Sequence, residues 1–168
     1  GRHFSASGEP AGGEILLSQP GRIAANPTVA ASALGFTVAW AQADSESREL
    51  GFDIIARTFD PEGAPLSGAT VVNTYRYGDQ FAPSIASGSG GELVVWTSLL
   101  QDGSREGVFG QYLVNGARQG GEFRVNTTTV SRQIHPQVVS HGSAGFLGLW
   151  SGYVGSPRDF QLFGQRYA

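Results

Sequence analysis

Three tryptophans, Trp40, Trp96 and Trp150, stand 56 and 54 residues apart. They mark a tandem repeat. A repeat constrains a fold more than composition does, because each unit must bury its apolar face against its neighbours. Each tryptophan closes an apolar stretch that opens on a glycine five residues earlier: Gly35-Phe-Thr-Val-Ala-Trp40, Gly91-Glu-Leu-Val-Val-Trp96 and Gly145-Phe-Leu-Gly-Leu-Trp150. Upstream lie Pro27, Pro83 and Pro136, at 13, 13 and 14 residues from the tryptophan. Downstream come Ile55-Ala-Arg57-Thr-Phe59, Phe109-Gly-Gln111-Tyr-Leu113 and Phe163-Gly-Gln165-Arg-Tyr167, and the chain opens on a matching Gly1-Arg2-His3-Phe4. The pairs Gly8 and Gly13, Gly63 and Gly68, Gly116 and Gly121 are each five apart. The units run over 7–60, 61–114 and 115–168, with 1–6 as a strand of a preceding unit, all in one domain.

Each unit carries four short strand signals, here lettered A to D. In the third unit A covers Glu122–Asn126, B Pro136–Ser140, C Phe146–Ser151 and D Gln161–Tyr167. They are rich in Val, Ile, Leu, Phe and Thr and are bounded by Gly, Ser, Asn and Pro. B and C are separated by hairpin chemistry, Ser32-Ala-Leu-Gly35, Ser87-Gly-Ser-Gly-Gly91 and His141-Gly-Ser-Ala-Gly145, because glycine accepts the positive φ such turns need. D alternates, with Phe109, Gln111 and Leu113 on one face and Gly110 and Tyr112 on the other. No window reads as helix. The fold class is therefore all-β, with β-propeller-like four-stranded repeats: three units plus one extra N-terminal strand. The alternative is a β-trefoil, which also has three four-stranded repeats. Three blades do not close a ring, since propellers use about 4–8. The propeller reading thus implies that the chain is a segment of a longer array or assembles with other copies.

A resemblance comes in here. The stretch Gly120-Gly-Glu-Phe-Arg-Val-Asn-Thr-Thr-Thr129, with Gly91–Trp96, Gln101-Asp-Gly-Ser104 and Gly107-Val-Phe-Gly-Gln-Tyr112, resembles a repeat of large bacterial secreted and surface proteins. It is closest over 91–168 and weaker in the first unit. It implies an extracellular or cell-surface tandem-repeat module, often within adhesin-like chains, and carries no catalytic residues over to this sequence.

Composition narrows the chemistry. The 168 residues include no cysteine and no methionine, and all 11 basic residues are arginine. Disulfides and thiolate metal sites are excluded. The missing methionine points to a mature product or a piece of a longer protein. A formal net charge of −3 argues against a nucleic-acid partner held through phosphates. No run of about 18 apolar residues suggests membrane insertion, and no signal peptide is legible. There is no G-x-S-x-G elbow and no lysine-bearing phosphate loop. His3, His135 and His141 share no tight ligand spacing, and His135 occupies a position held by Asn26 and Ala82 in the other units. We expect no enzyme and no catalytic residues.

Binding candidates are fewer. Tyr75, Tyr77 and Tyr153 have no counterpart in the other units, so they escape the packing demand of the repeat and are the better ligand candidates. Carboxylates in the C–D loops (Asp44, Glu46, Glu49, Asp102, Glu106 and Asp159) fall at related positions. Asp102-Gly-Ser104 offers hard oxygen ligands, so calcium at Asp102 and Ser104 is the one cofactor reading. Trp40, Trp96 and Trp150 recur in one register, as a core requires, and are read as structural. Arg2, Arg57, Gln111 and Gln165 share a place on D, where a long polar side chain bonds backbone across the sheet. The functional expectation is a non-catalytic extracellular repeat module with a structural, assembly or adhesive role. The alternative is a carbohydrate-binding, lectin-like module. Expected partners are other copies of the chain or further repeats, or a cell-surface glycan or protein.

Overall fold

The computed structural model describes residues 1–32, 34–43, 51–155 and 159–168. Its strands are β1 (Ile23–Ser32), β2 (Gly35–Ala43), β3 (Phe52–Phe59), β4 (Thr70–Val71), β5 (Gln80–Gly88), β6 (Gly91–Leu99), β7 (Glu106–Val114), β8 (Ala117–Arg124), β9 (Gln133–Ser140), β10 (Phe146–Tyr153) and β11 (Phe160–Tyr167). The protein is all-β. Its one helical turn among the described residues is a short 3₁₀ turn at Gly142–Ala144. No helix there is long and apolar enough to cross a membrane.

The strands form three antiparallel sheets, β1-β2-β3-β4, β5-β6-β7-β8 and β9-β10-β11, with no closed barrel among the described residues. The sheets are out of phase with the sequence units. The first two combine B, C and D of one unit with A of the next, β4 pairing with β3 and β8 with β7, while the third holds B, C and D alone. Of the three strand A segments, the one in the first unit forms no named strand. Gly1 bonds to it through two hydrogen bonds, its ammonium donating to the Ile15 carbonyl at 2.8 Å and its carbonyl accepting from the Ile15 N–H at 2.7 Å, and Phe4 bridges Pro10 just before it.

Local chemistry explains the hairpins. Gly35, Gly91 and Gly145 have φ of +140°, +130° and +99°. A Cβ there would lie 2.2, 2.2 and 1.9 Å from the carbonyl oxygens of Phe59, Leu113 and Tyr167. The glycine is needed because the end of D passes directly over the start of C. The B strands share a second irregularity. Asn26, Ala82 and His135, each just before the repeated proline, have φ of +51°, +49° and +56°. In all three sheets the B–C register shifts at this point, as a β-bulge does. The position therefore selects for a backbone conformation, which is why Asn, Ala and His interchange there.

Consecutive sheets stack face to face, with β1 against β5 and β5 against β9. One core lies between the first two sheets, where Ala39, Ala41, Ile54 and Val72 meet Ile85, Val94 and Trp96. A second lies between the last two, where Leu93, Val95, Val108 and Val125 meet Phe146 and Trp150. The third, around Val38, Trp40, Ile55 and Phe59, sits on the outer face of the first sheet under Leu17. The tryptophans are 3%, 0% and 5% exposed, so all three occupy one buried register.

Candidate functional site

The most developed polar arrangement recurs at the edges of the first two sheets. After strand A the chain reads Val72-Asn73 in one unit and Val125-Asn126 in the next. The N–H of Val72 donates to the Ile54 carbonyl at 2.7 Å, and the Ile54 N–H donates to Asn73 Oδ1 at 2.7 Å. In the second sheet, the Val125 N–H donates to the Val108 carbonyl at 2.8 Å and the Val108 N–H to Asn126 Oδ1 at 2.6 Å. Each asparagine then uses both amide protons. Asn73 Nδ2 donates to Asp53 Oδ1 at 2.7 Å and to the Tyr75 carbonyl at 2.8 Å. Asn126 Nδ2 donates to Asp102 Oδ2 at 3.3 Å and to the Thr128 carbonyl at 2.7 Å. Both asparagines are buried. A buried amide is tolerated only when its hydrogen bonds are made, and here they extend the ladder by side chain where the backbone turns away.

Asp102 and Ser104, the calcium candidates, belong to this arrangement. Asp102 accepts from Asn126 and, through Oδ1, from the Ser104 N–H at 3.2 Å. Ser104 Oγ accepts from the Ser131 N–H at 2.9 Å. Their oxygens thus link loop to strand. Of the other loop carboxylates, Glu106 pairs with Arg132 at 3.5 Å, and Asp44, Glu46 and Glu49 lie outside the described residues. Among the described residues no three His, Cys, Asp or Glu side chains gather as metal ligands would. His3 packs edge-on against Phe36, His135 sits in the bulge and His141 precedes the 3₁₀ turn.

The long polar side chains of D act across the sheet as expected. Arg2 Nε, Arg57 Nε and Gln111 Nε2 donate to the carbonyls of Gly12, Ser67 and Gln119 at 3.3, 3.0 and 3.0 Å. The fourth member, Gln165, is exposed on an edge strand.

Of the ligand candidates, the structure brings two together. Tyr75 and Tyr77 meet edge to face at 5.8 Å, with Tyr77 73% exposed. Between them Arg76 is anchored to Asp53 at 2.7 Å. Tyr153 belongs to a separate cluster, edge to face with Phe160. Glu122, which the sequence reading passed over, shapes the tyrosine loop. Its carboxylate accepts from the Thr74 N–H and hydroxyl, from the Tyr75 N–H and from Gln101 Nε2. The triplet Gly-Gly-Glu recurs at 12–14, 90–92 and 120–122, and its second occurrence lies in a B–C hairpin, so it did not single Glu122 out. The Val-Asn dipeptides were likewise visible, but not their role.

Two phenols are perturbed. Burial raises the Tyr112 phenol above its ordinary 10.0. Burial, aided by Tyr112, pushes Tyr167 up to about 12. Both flank Phe123, and the Tyr167 hydroxyl donates to the Val125 carbonyl at 3.3 Å. These groups are spent on packing the last sheet against β8. Comparison of the chain with protein-family models, with curated proteins and with solved structures finds no match.

Proposed function

We propose that this chain is a non-catalytic repeat module of a bacterial secreted or surface protein, with a role in structure, assembly or adhesion. The observation that carries this reading is the fate of its buried amides, Asn73, Asn126 and Gln111, and of the half-buried carboxylates beside them. Asn73, Asn126, Asp53, Asp102 and Gln111, the groups a binding or catalytic centre would draw on, tie one repeat to the next. A propeller-like stack is favoured over a trefoil by the meander order within each sheet and by the absence of a shared ladder between sheets among the described residues. The extracellular placement is supported by the resemblance of residues 91–168 to bacterial surface repeats. The test is to assay the purified chain on glycosidase, esterase and peptidase substrates while measuring its adsorption to bacterial and host surfaces. Surface binding without turnover is the expected result. Turnover that disappears in Glu122→Gln would overturn the non-catalytic reading.

One observation favours a second reading, a lectin-like site at Tyr75 and Tyr77. An exposed ring steadied by a neighbouring ring, beside an anchored arginine, can stack on a sugar and bond its hydroxyls. A glycan array should then show saturable signal that Tyr77→Ala removes.

A further inference from the structure

The chain shows twice what covers the face and edge of one of its sheets. On the first sheet, Ala39 and Ile54 are both 0% exposed beneath the second sheet and Val72. On the second, the same register positions are Val95 and Val108, 1% and 0% exposed beneath the third sheet and Val125. On the third they are Leu149 and Leu162, 43% and 84% exposed. Apolar side chains as large as their counterparts or larger thus stand in water where those counterparts are sealed. The edge is open as well. Leu162, Gly164 and Arg166 turn their backbone groups outward at the positions where the first two sheets hold β4 and β8. An exposed apolar edge of this kind is normally covered.

The opposite end of the stack is complementary. The outer face of the first sheet carries Val29, 62% exposed, above an open apolar groove of about 460 Å³ lined by Ile15, Leu17, Pro27, Phe36 and Val38. Val29 is the counterpart of Ile85 and Val138, which meet Ile54 and Val108 in the two internal interfaces. Beside the groove, Gly1 pairs with Ile15 in the register in which Ala56 pairs with Thr70 and Gly110 with Phe123. Residues 1–4 therefore hold, in short form, the place of a whole strand D.

We propose that the outer face of the third sheet docks head to tail on the outer face of the first sheet of a second copy of this chain. In that complex β11 replaces Gly1–Phe4 beside Ile15–Ser18, Leu162 and Leu149 enter the groove near Val29, and Ser18 supplies the oxygen that Asn73 and Asn126 supply internally. The partner is a second copy because, among the described residues, the face that meets this one in both internal interfaces is the chain's own. A heterologous contact of this type yields a ring where the rotation closes and a filament where it does not. The inference rests on the reading of the chain as an assembly module.

Sedimentation velocity over a wide concentration range tests it. The full chain should grow beyond its 17.7 kDa monomer as concentration rises. Leu162→Asp and Val29→Asp alter exposed positions and each spoil one of the two faces, so each variant alone should associate at least about a hundredfold more weakly, since an unpaired charge would be buried. Mixed in equal amounts, the two variants retain one good face each and should form a 1:1 dimer that grows no further. Hydrogen exchange supplies a readout independent of either variant's folding: the amides of Leu162, Gly164 and Arg166 in the unaltered chain should gain protection with concentration. A strict monomer, association indifferent to both variants, a mixture that stays monomeric, or unchanged exchange at β11 would each overturn the docking. A strict monomer that still adsorbs to surfaces would overturn the docking alone and leave the module reading in place.

Discussion

Replacing Asn126 by alanine tests the claim that one buried amide joins each repeat to its neighbour. Asn126 is 1% exposed and Val108 0% exposed. Truncation strips the buried Val108 N–H of its acceptor at 2.6 Å. An orphaned buried donor costs about 1–3 kcal/mol. The Thr128 carbonyl and the Asp102 carboxylate lose a donor too, at 2.7 and 3.3 Å, but both are nearer solvent and recover part of the loss. The expected total is about 3 kcal/mol, a large share of the roughly 5–15 kcal/mol that holds a domain folded. Urea denaturation followed by tryptophan fluorescence should show the midpoint falling with the slope unchanged. The amide of Val108 should also exchange faster. Thr127→Ala, next door and exposed, should stay within about 0.5 kcal/mol. Asn126→Asp adds a check of sign. It keeps an acceptor for Val108 but sets a second carboxylate against Asp102. Repulsion raises the carboxyl pKa in the folded state, so the folded chain holds more protons than the unfolded one. Stability should then fall as pH rises through and above about 4, where an unfolded Asp loses its proton. A loss below about 1 kcal/mol for Asn126→Ala, or one matched by Thr127→Ala, would refute the reasoning.

Four further outcomes follow from the geometry. Gly91→Ala places a Cβ 2.2 Å from the Leu113 carbonyl at φ +130° and should cost about 3 kcal/mol or more, which an unchanged melting temperature would contradict. Ala82→Gly relieves a φ of +49° in the bulge and should stabilise by about 1 kcal/mol, read by the same melts. Trp96→Ala and Trp150→Ala, in one register at 0% and 5% exposure, should each cost roughly 3–5 kcal/mol in denaturant titrations. The Tyr167 phenol holds its proton to about 12 when folded against 10.0 when unfolded, so its contribution is intact below pH 10 and is lost as pH climbs toward 12. Ultraviolet titration should find Tyr112 and Tyr167 ionising late, Tyr167 at about 12, and Tyr167→Phe should flatten the alkaline loss of stability.

Much of the molecule was legible from sequence because the responsible forces are local or periodic. The hairpin glycines, the period-2 faces of D and the buried tryptophans follow from φ, side-chain alternation and apolar content within a few residues. The reach of Arg57 and Gln111 across the sheet was readable too, since a long polar group recurring on a half-buried strand has few other partners. The assignment of A to a sheet was not readable. Its apolar pattern suits the strand before it and the strand after it equally well. Only the arrival of Val72-Asn73 at Ile54, and of Val125-Asn126 at Val108, decides for the preceding D. Glu122 illustrates the same limit at the candidate site. Nothing near it in sequence calls for an acceptor, and its donors at Thr74 and Tyr75 come 48 and 47 residues earlier. The sequence by itself determined the repeat, its strands and its turns, because backbone sterics and hydrophobic periodicity act over short spans. The tertiary structure alone decided how repeats join, which polar groups are consumed in joining them, and that Leu149 and Leu162 remain uncovered, because those depend on which distant surfaces meet.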